Sequence, residues 1–117
     1  MKTVIITGSR DHTNKELIWK TLDELNPTHI VHGNAKGADK IAENWAKKNC
    51  IPYTRVPADW DTLGPAAGPI RNIKMLMMFP EGIVCGFPLE GSVGTWHCID
   101  SSVERDMETK VVYDKDH

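Results

Sequence analysis

The chain is short of cysteine, of net charge and of long apolar runs, and each shortage removes a class of protein. Its three cysteines, Cys50, Cys85 and Cys98, are odd in number, widely spaced and form no CxxC pair. A disulfide framework is therefore not expected, and reduced thiols in the cytoplasm are. The five histidines form no i, i+4 pair, so no metal site is legible and no cofactor is expected. A formal net charge of −2 gives no electrostatic footprint for nucleic acid, although it leaves room for a local basic pocket. Nucleic acid is thus a disfavoured partner. No apolar run is long enough to span a membrane. The opening MKTVIITGSR is too brief a run for a signal-peptide core and continues into Gly8, Ser9 and Arg10 rather than a cleavage pattern.

What is present fits one soluble domain over residues 1–117, long enough for a single core and too short for two. The stretch Thr28 to Ala46, THIVHGNAKGADKIAENWA, organises the rest. Thr28 to His32 is short, β-branched and bounded by Pro27 and Gly33, as a buried parallel strand requires. From Gly37 the period changes: Ala38, Ile41, Ala42, Trp45 and Ala46 share a helical face, with Asp39, Lys40, Glu43, Asn44 and Lys47 opposite. The turn between, Gly33-Asn34-Ala35-Lys36-Gly37, uses residues tolerant of positive φ. Its amides are expected to point outward and, with Lys36, to offer a site for phosphate or carboxylate. The same glycines also suit a merely tight connection. The turn is neither GxGxxG nor a P-loop.

Lys2 to Thr7 reads as a first strand. A helix to Leu25 follows, its start marked by the capping box Thr13/Glu16 and its end by Asn26 and Pro27. A third strand is expected around Tyr53 to Val56. Pro57 to Pro69, PADWDTLGPAAGP, breaks both periods and reads as a loop of defined shape. A helix from Pro69 to Phe79, a strand from Ile83 to Phe87, a glycine-bearing turn from Pro88 to Gly94, a helix from Thr95 to about Arg105 and a strand from Lys110 to Tyr113 complete the pattern. Asp114 to His117 reads as a frayed polar tail. Strands alternating with helices give an α/β open parallel sheet of about five strands with helices on both faces. The crossover rule gathers Gly8-Ser9-Arg10, Gly33 to Gly37, Asp59-Trp60 and Glu90 to Gly94 at the C-terminal edge, where ligands bind such sheets.

Five ordered segments carry a resemblance over nearly the whole chain: TGSRD (Thr7 to Asp11), HGNAKGAD (His32 to Asp39), PADW (Pro57 to Trp60), GPAAGPIRNIKML (Gly64 to Leu76) and GSVGT (Gly91 to Thr95). Together they resemble the YspA-type branch of the SLOG superfamily, which also includes the LOG phosphoribohydrolases and DprA-like proteins. The resemblance implies a Rossmann-like fold that binds a nucleotide or nucleotide-derived ligand. Arg71 corresponds to an active-site arginine of the LOG branch, and a guanidinium suits bidentate recognition of phosphate. Asn72 stands beside it. Gly91, Ser92, Gly94 and Thr95 match a GGxGT turn that cradles phosphate, with Ser92 in place of the second glycine. Where the LOG enzymes carry glutamate just after this turn, the chain has Trp96, His97 and Cys98. N-glycosidic hydrolysis would then need another carboxylate: Asp59, Asp39, Glu90 or Asp100.

The expected ligand site therefore comprises Gly8, Ser9, Arg10, Gly33, Asn34, Lys36, Gly37, Asp39, Asp59, Trp60, Arg71, Asn72, Gly91, Ser92, Gly94 and Thr95. Phosphate falls to the two turns and Arg71; base and ribose fall to Ser9, Arg10, Asp59 and Trp60, whose indole can stack or simply lid the core. Three functions follow in order: sensing or sequestration of the ligand, hydrolysis of a nucleoside monophosphate with Asp59 and Arg71 as the catalytic pair, and a DprA-like role in DNA processing. His97-Cys98 is discounted as a nucleophile pair, because adjacent helix residues point apart. The helix Ile70 to Phe79 is apolar over more than one face, which predicts a homo-oligomer formed through it.

Overall fold

In the computed structural model, which describes residues 1–115, five parallel strands stand in the order β3-β2-β1-β4-β5. They are β1 (Thr3–Gly8), β2 (His29–His32), β3 (Tyr53–Arg55), β4 (Ile83–Phe87) and β5 (Thr109–Val111). The helices are α1 (Lys15–Leu25), α2 (Ala38–Lys48), α3 (Trp60–Leu63), α4 (Ala67–Met78) and α5 (Val93–Glu104), with a 3-10 turn at Gly64–Ala66. β1 is central, pairing Val4 with Ile30 on one side and with Ile83 on the other.

Alternation along β1 sorts the core. Val4 and Ile6 point to one face, where Ile18 and Leu22 of α1 and Ala42, Trp45 and Ala46 of α2 cover them. Ile5 points to the other, under Met75 and Leu76 of α4 and Cys98 of α5. Strand order reverses between β1 and β4, and there the Ser9 amide donates to the Phe87 carbonyl at 3.1 Å. That junction is the topological switch point, the place beyond the strand ends where open parallel sheets bind ligands.

Several boundaries differ from expectation. Asn14, not Thr13, caps α1: its side chain accepts from the Leu17 amide at 3.1 Å. Asn26 ends that helix as foreseen, and does so at φ 51 in the left-handed region. The Pro57 to Pro69 loop holds α3 and the 3-10 turn, and α4 starts at Ala67. Arg71 thus lies in the second turn of α4, where the helix dipole no longer opposes its charge. Asp39 and Glu43, placed by periodicity on the polar face of α2, are both buried, 5% and 1% exposed. The expected polar tail lies partly outside the described residues.

Candidate functional site

Two glycine-bearing turns meet the C-terminal edge. The β2–α2 turn is closed upon itself. The Asp39 carboxylate accepts from the Gly33 amide at 3.0 Å and the Ala35 amide at 3.2 Å through one oxygen, Oδ2. The Asn34 amide donates to Nδ1 of His32 at 2.9 Å, and the Ala38 amide to the Ser9 carbonyl at 3.2 Å. The expectation that this turn turns its amides outward is therefore corrected for Gly33, Asn34 and Ala35, because side chains within the motif take them first. Gly37, at φ 72, is pressed against the Ser9 and Arg10 backbone, where a Cβ would collide with the Ser9 carbonyl oxygen. Gly8 lets Ala38 approach equally closely.

Behind the turn stands a buried charge network that sequence reading missed. Because Nδ1 of His32 accepts from Asn34, its proton sits on Nε2 and is donated to Glu43 at 3.0 Å. Glu43 also binds Arg55 Nε at 2.6 Å and Lys40 and Lys47 at 3.3 Å each. The Arg55 bond, with Lys40, His32 and Lys47 behind it and against the cost of burial, holds the Glu43 carboxyl well below its ordinary range. Burial pulls His32 below its ordinary value. The available signal was the i, i+4 spacing of Asp39 and Glu43 on α2.

Arg71 reaches across from α4. One terminal nitrogen donates to the Gly33 carbonyl, and a Cβ on Gly33 would collide with that nitrogen. Glycine at 33 is required by this contact. Arg71 Nε donates to Oδ1 of the buried Asn72 at 3.0 Å. The Nδ2 group of Asn72 then donates to the Gly94 carbonyl at 3.1 Å and lies 3.3 Å from His97 Nδ1. Among the described residues Arg71 forms no ion pair. The Asp39 carboxyl feels its charge, yet burial dominates and pushes that group up to about 6. The second carboxylate oxygen of Asp39 is buried without a hydrogen-bond partner among the described residues.

The β4–α5 turn has space around its glycines, although its Ser92 amide donates to the Leu89 carbonyl at 3.1 Å and its Val93 amide to the Gly91 carbonyl at 2.9 Å. Ser92 makes no capping bond to α5, since its hydroxyl accepts from the Leu89 amide at 2.9 Å instead. A Cβ added at Gly91, whose φ is 80, or at Gly94 would meet nothing within 4 Å. Thr95 is buried beneath them.

A comparison now decides the family, since the sequence profile of the YspA, cpYpsA-related SLOG family matches residues 2–62. The chain belongs to that family. A relative by sequence is the Gene 61 protein of Mycobacterium phage D29, 40% identical over 110 residues, a match covering 85% of this chain and 86% of that protein. Among solved structures, DNA processing protein A (DprA) from Streptococcus pneumoniae superposes with a TM-score of 0.54 at 19% identity. The match covers 96% of this chain but 58% of that one, and the likeness is one of fold.

Within this candidate site the structure links Gly33, Asp39, Arg71, Asn72 and Gly94, each named from the sequence, through one chain of hydrogen bonds. Asp59 is placed differently: it is exposed and caps α3, accepting from the Thr62 amide at 3.2 Å. Trp60 is 48% exposed and lies over Gly68, 3.0 Å from where a Cβ would stand, as a lid on the start of α4. No hydrogen bond joins either to Arg71 among the described residues. Ser9 is buried and its hydroxyl accepts from the Asp11 amide, while Arg10 and Lys36 are exposed. Cys98 points inward, its thiol pushed up to about 11 by burial, which disposes of the nucleophile reading. His97, discounted with it, lines the cavities on the outer face of α5. Among the described residues no helix is long and apolar enough to cross a membrane.

Proposed function

We propose that the protein binds a phosphate-bearing, nucleotide-derived ligand between Arg71 and the start of α5, sensing or sequestering it. The observation that carries this reading is Arg71 itself: a half-buried guanidinium with no ion pair among the described residues, tied by Asn72 to the first turn of a helix that lacks a side-chain cap. The cation and the positive end of a helix without a side-chain cap both favour one anion. Family membership supports a nucleotide-related ligand. The test is calorimetric titration with AMP, ADP-ribose and a cyclic dinucleotide, repeated on Arg71→Ala. At least one ligand should bind, and the variant should bind it roughly 10- to 100-fold more weakly, the worth of a charged hydrogen bond. Equal binding by the variant would remove Arg71, and with it the site.

Hydrolysis of a nucleoside monophosphate is the second reading, favoured by one feature: Asp39, with its carboxyl pushed up to about 6 and feeling the charge of Arg71, replaces Asp59 as the assisting carboxylate. Release of free base, followed by chromatography and lost in Asp39→Asn, distinguishes turnover from binding.

The same proposal includes a second copy of the chain. α4 buries Met75 and Leu76 but leaves Ile70, Met77 and Met78 at 50%, 65% and 47% exposure. These residues, with Ile73, line an apolar groove of about 720 Å³, and the contact between copies is assigned to them and not to His97, which lines the same groove; Met suits such contacts. Light scattering should report a dimer or larger, and Met77→Asp should dissociate it.

A further inference from the structure

Resting on the phosphate reading above, we infer that the outer face of α5 reads the heterocycle of the ligand, with Trp96 as the stacking surface and His97 as the hydrogen-bond donor. Val93, Trp96, His97 and Asp100 fall at i, i+3, i+4 and i+7, so they form one stripe, opposite the buried Thr95, Cys98, Ile99 and Ser102. That stripe is unusual for a solvated face, because Val93 is 80% and Trp96 36% exposed. With Gly91 and Ser92 it lines a cavity of about 410 Å³, within the range of small-molecule sites. Tyr113 leans on Trp96, ring centres 6.2 Å apart, and steadies the indole.

The protonation of His97 follows from its partner. The amide of Asn72 cannot be turned round, because its oxygen is already the acceptor for Arg71 and its nitrogen the donor to Gly94. It therefore presents N–H to His97 Nδ1, which must accept. The imidazole proton is left on Nε2, where it serves a ligand acceptor. Asp100, one turn on, offers an acceptor beside it. A donor next to an acceptor along the edge of an apolar ring is the complement of a nucleobase edge, where ring nitrogen or carbonyl adjoins an amino or imino group. Asn72 bonds Arg71 through its oxygen and lies 3.3 Å from His97 through its nitrogen, and on this inference one ligand spans the phosphate and base positions. Ser9, Arg10, Asp59 and Trp60 are not needed for the base.

The experiment compares AMP with ribose 5-phosphate, which carries the phosphate and sugar but no base, by calorimetry on the wild-type chain and on Trp96→Ala, Trp96→Phe, His97→Ala and His97→Gln, each first checked for an unchanged unfolding temperature. AMP should bind the wild type more tightly than ribose 5-phosphate. Trp96→Ala should lower AMP affinity about tenfold or more, and His97→Ala about three- to tenfold, with ribose 5-phosphate unaffected. Trp96→Phe and His97→Gln, which keep an aromatic face and a donor, should recover part of the loss. If ribose 5-phosphate binds through Arg71 but the preference for AMP survives both alanine variants, this inference falls and the phosphate reading stands. If the alanine variants weaken both probes equally, the residues are structural and the inference again falls. If neither probe binds the wild type, both fall together.

Discussion

The β2–α2 and β4–α5 turns look alike in sequence, each a glycine-bearing link from a buried strand to a helix, yet one is sealed by its own side chains and the other is held across its own backbone, Ser92 N–H to Leu89 and Val93 N–H to Gly91. In the first, Asp39 and His32 take the amides of Gly33, Ala35 and Asn34, and Arg71 lies on Gly33. In the second, Ser92 turns back to Leu89 and space remains around Gly91 and Gly94. Glycine spacing alone does not make an anion site. What decides is whether the motif carries its own acceptors: the first has a histidine at the strand end and a carboxylate in the opening turn of the helix, the second neither.

The comparison breaks most severely if the sealed turn loses its anchor. Glu43→Gln should cost about 3 kcal/mol at pH 7 in urea unfolding, because one buried carboxylate serves Arg55, Lys40, Lys47 and His32. The folded-state value of Glu43 is depressed, so its stabilisation is present above about 4.5 and declines as pH falls below it. The gap between variant and wild type should close over that same range, and a gap constant from pH 7 to 3 would mean the ion pairs contribute nothing.

Asp39→Asn should act in the opposite direction. The carboxyl is raised from 3.8 to about 6, so the folded chain bears a growing penalty as pH rises through that window and a constant one above it. The variant should gain up to about 3 kcal/mol on the wild type between pH 3.5 and 7.5, with Asn still able to accept the two amides. A difference independent of pH would show that Asp39 is not buried as a charge.

The two alanine substitutions sharpen the contrast at the glycines themselves. Gly33→Ala displaces the guanidinium rather than the backbone; stability should fall by about 1 kcal/mol, while ribose 5-phosphate affinity falls as in Arg71→Ala. Gly94→Ala meets no atom of the chain and stands inside α5. It should raise stability by about 0.5–1 kcal/mol through helix propensity and yet weaken the same ligand. Loss of stability in Gly94→Ala would show that the second turn lacks that space.

Sequence periodicity resolved the fold closely because parallel strands covered on both faces are uninterrupted apolar runs; β4 was read to the residue, from Ile83 to Phe87. It failed where local period carries no information. α3 is four residues long, too short to show one, and two adjacent cap-forming residues made Thr13 and Asn14 indistinguishable until His12 Nδ1 received the Asn14 amide at 3.2 Å. Of the site, Gly33, Asp39, Arg71, Asn72 and Gly94 were legible as motif positions. The burial of Glu43 was not, since it depends on Arg55 arriving from another strand. Nor was the outward proton of His97, which depends on a side chain of α4.

Asn72 also has a polarity. Its oxygen accepts from Arg71 of its own helix, which fixes which end faces α5, and its nitrogen donates to Gly94, so neither helix can slide or rotate by a residue without losing the bond that keys α4 to α5. An isosteric Asp at this position would present oxygen to both neighbours, repel the Gly94 carbonyl and oblige His97 to reverse its tautomer. The chemical sense of the whole crevice is thus written in the orientation of one amide group.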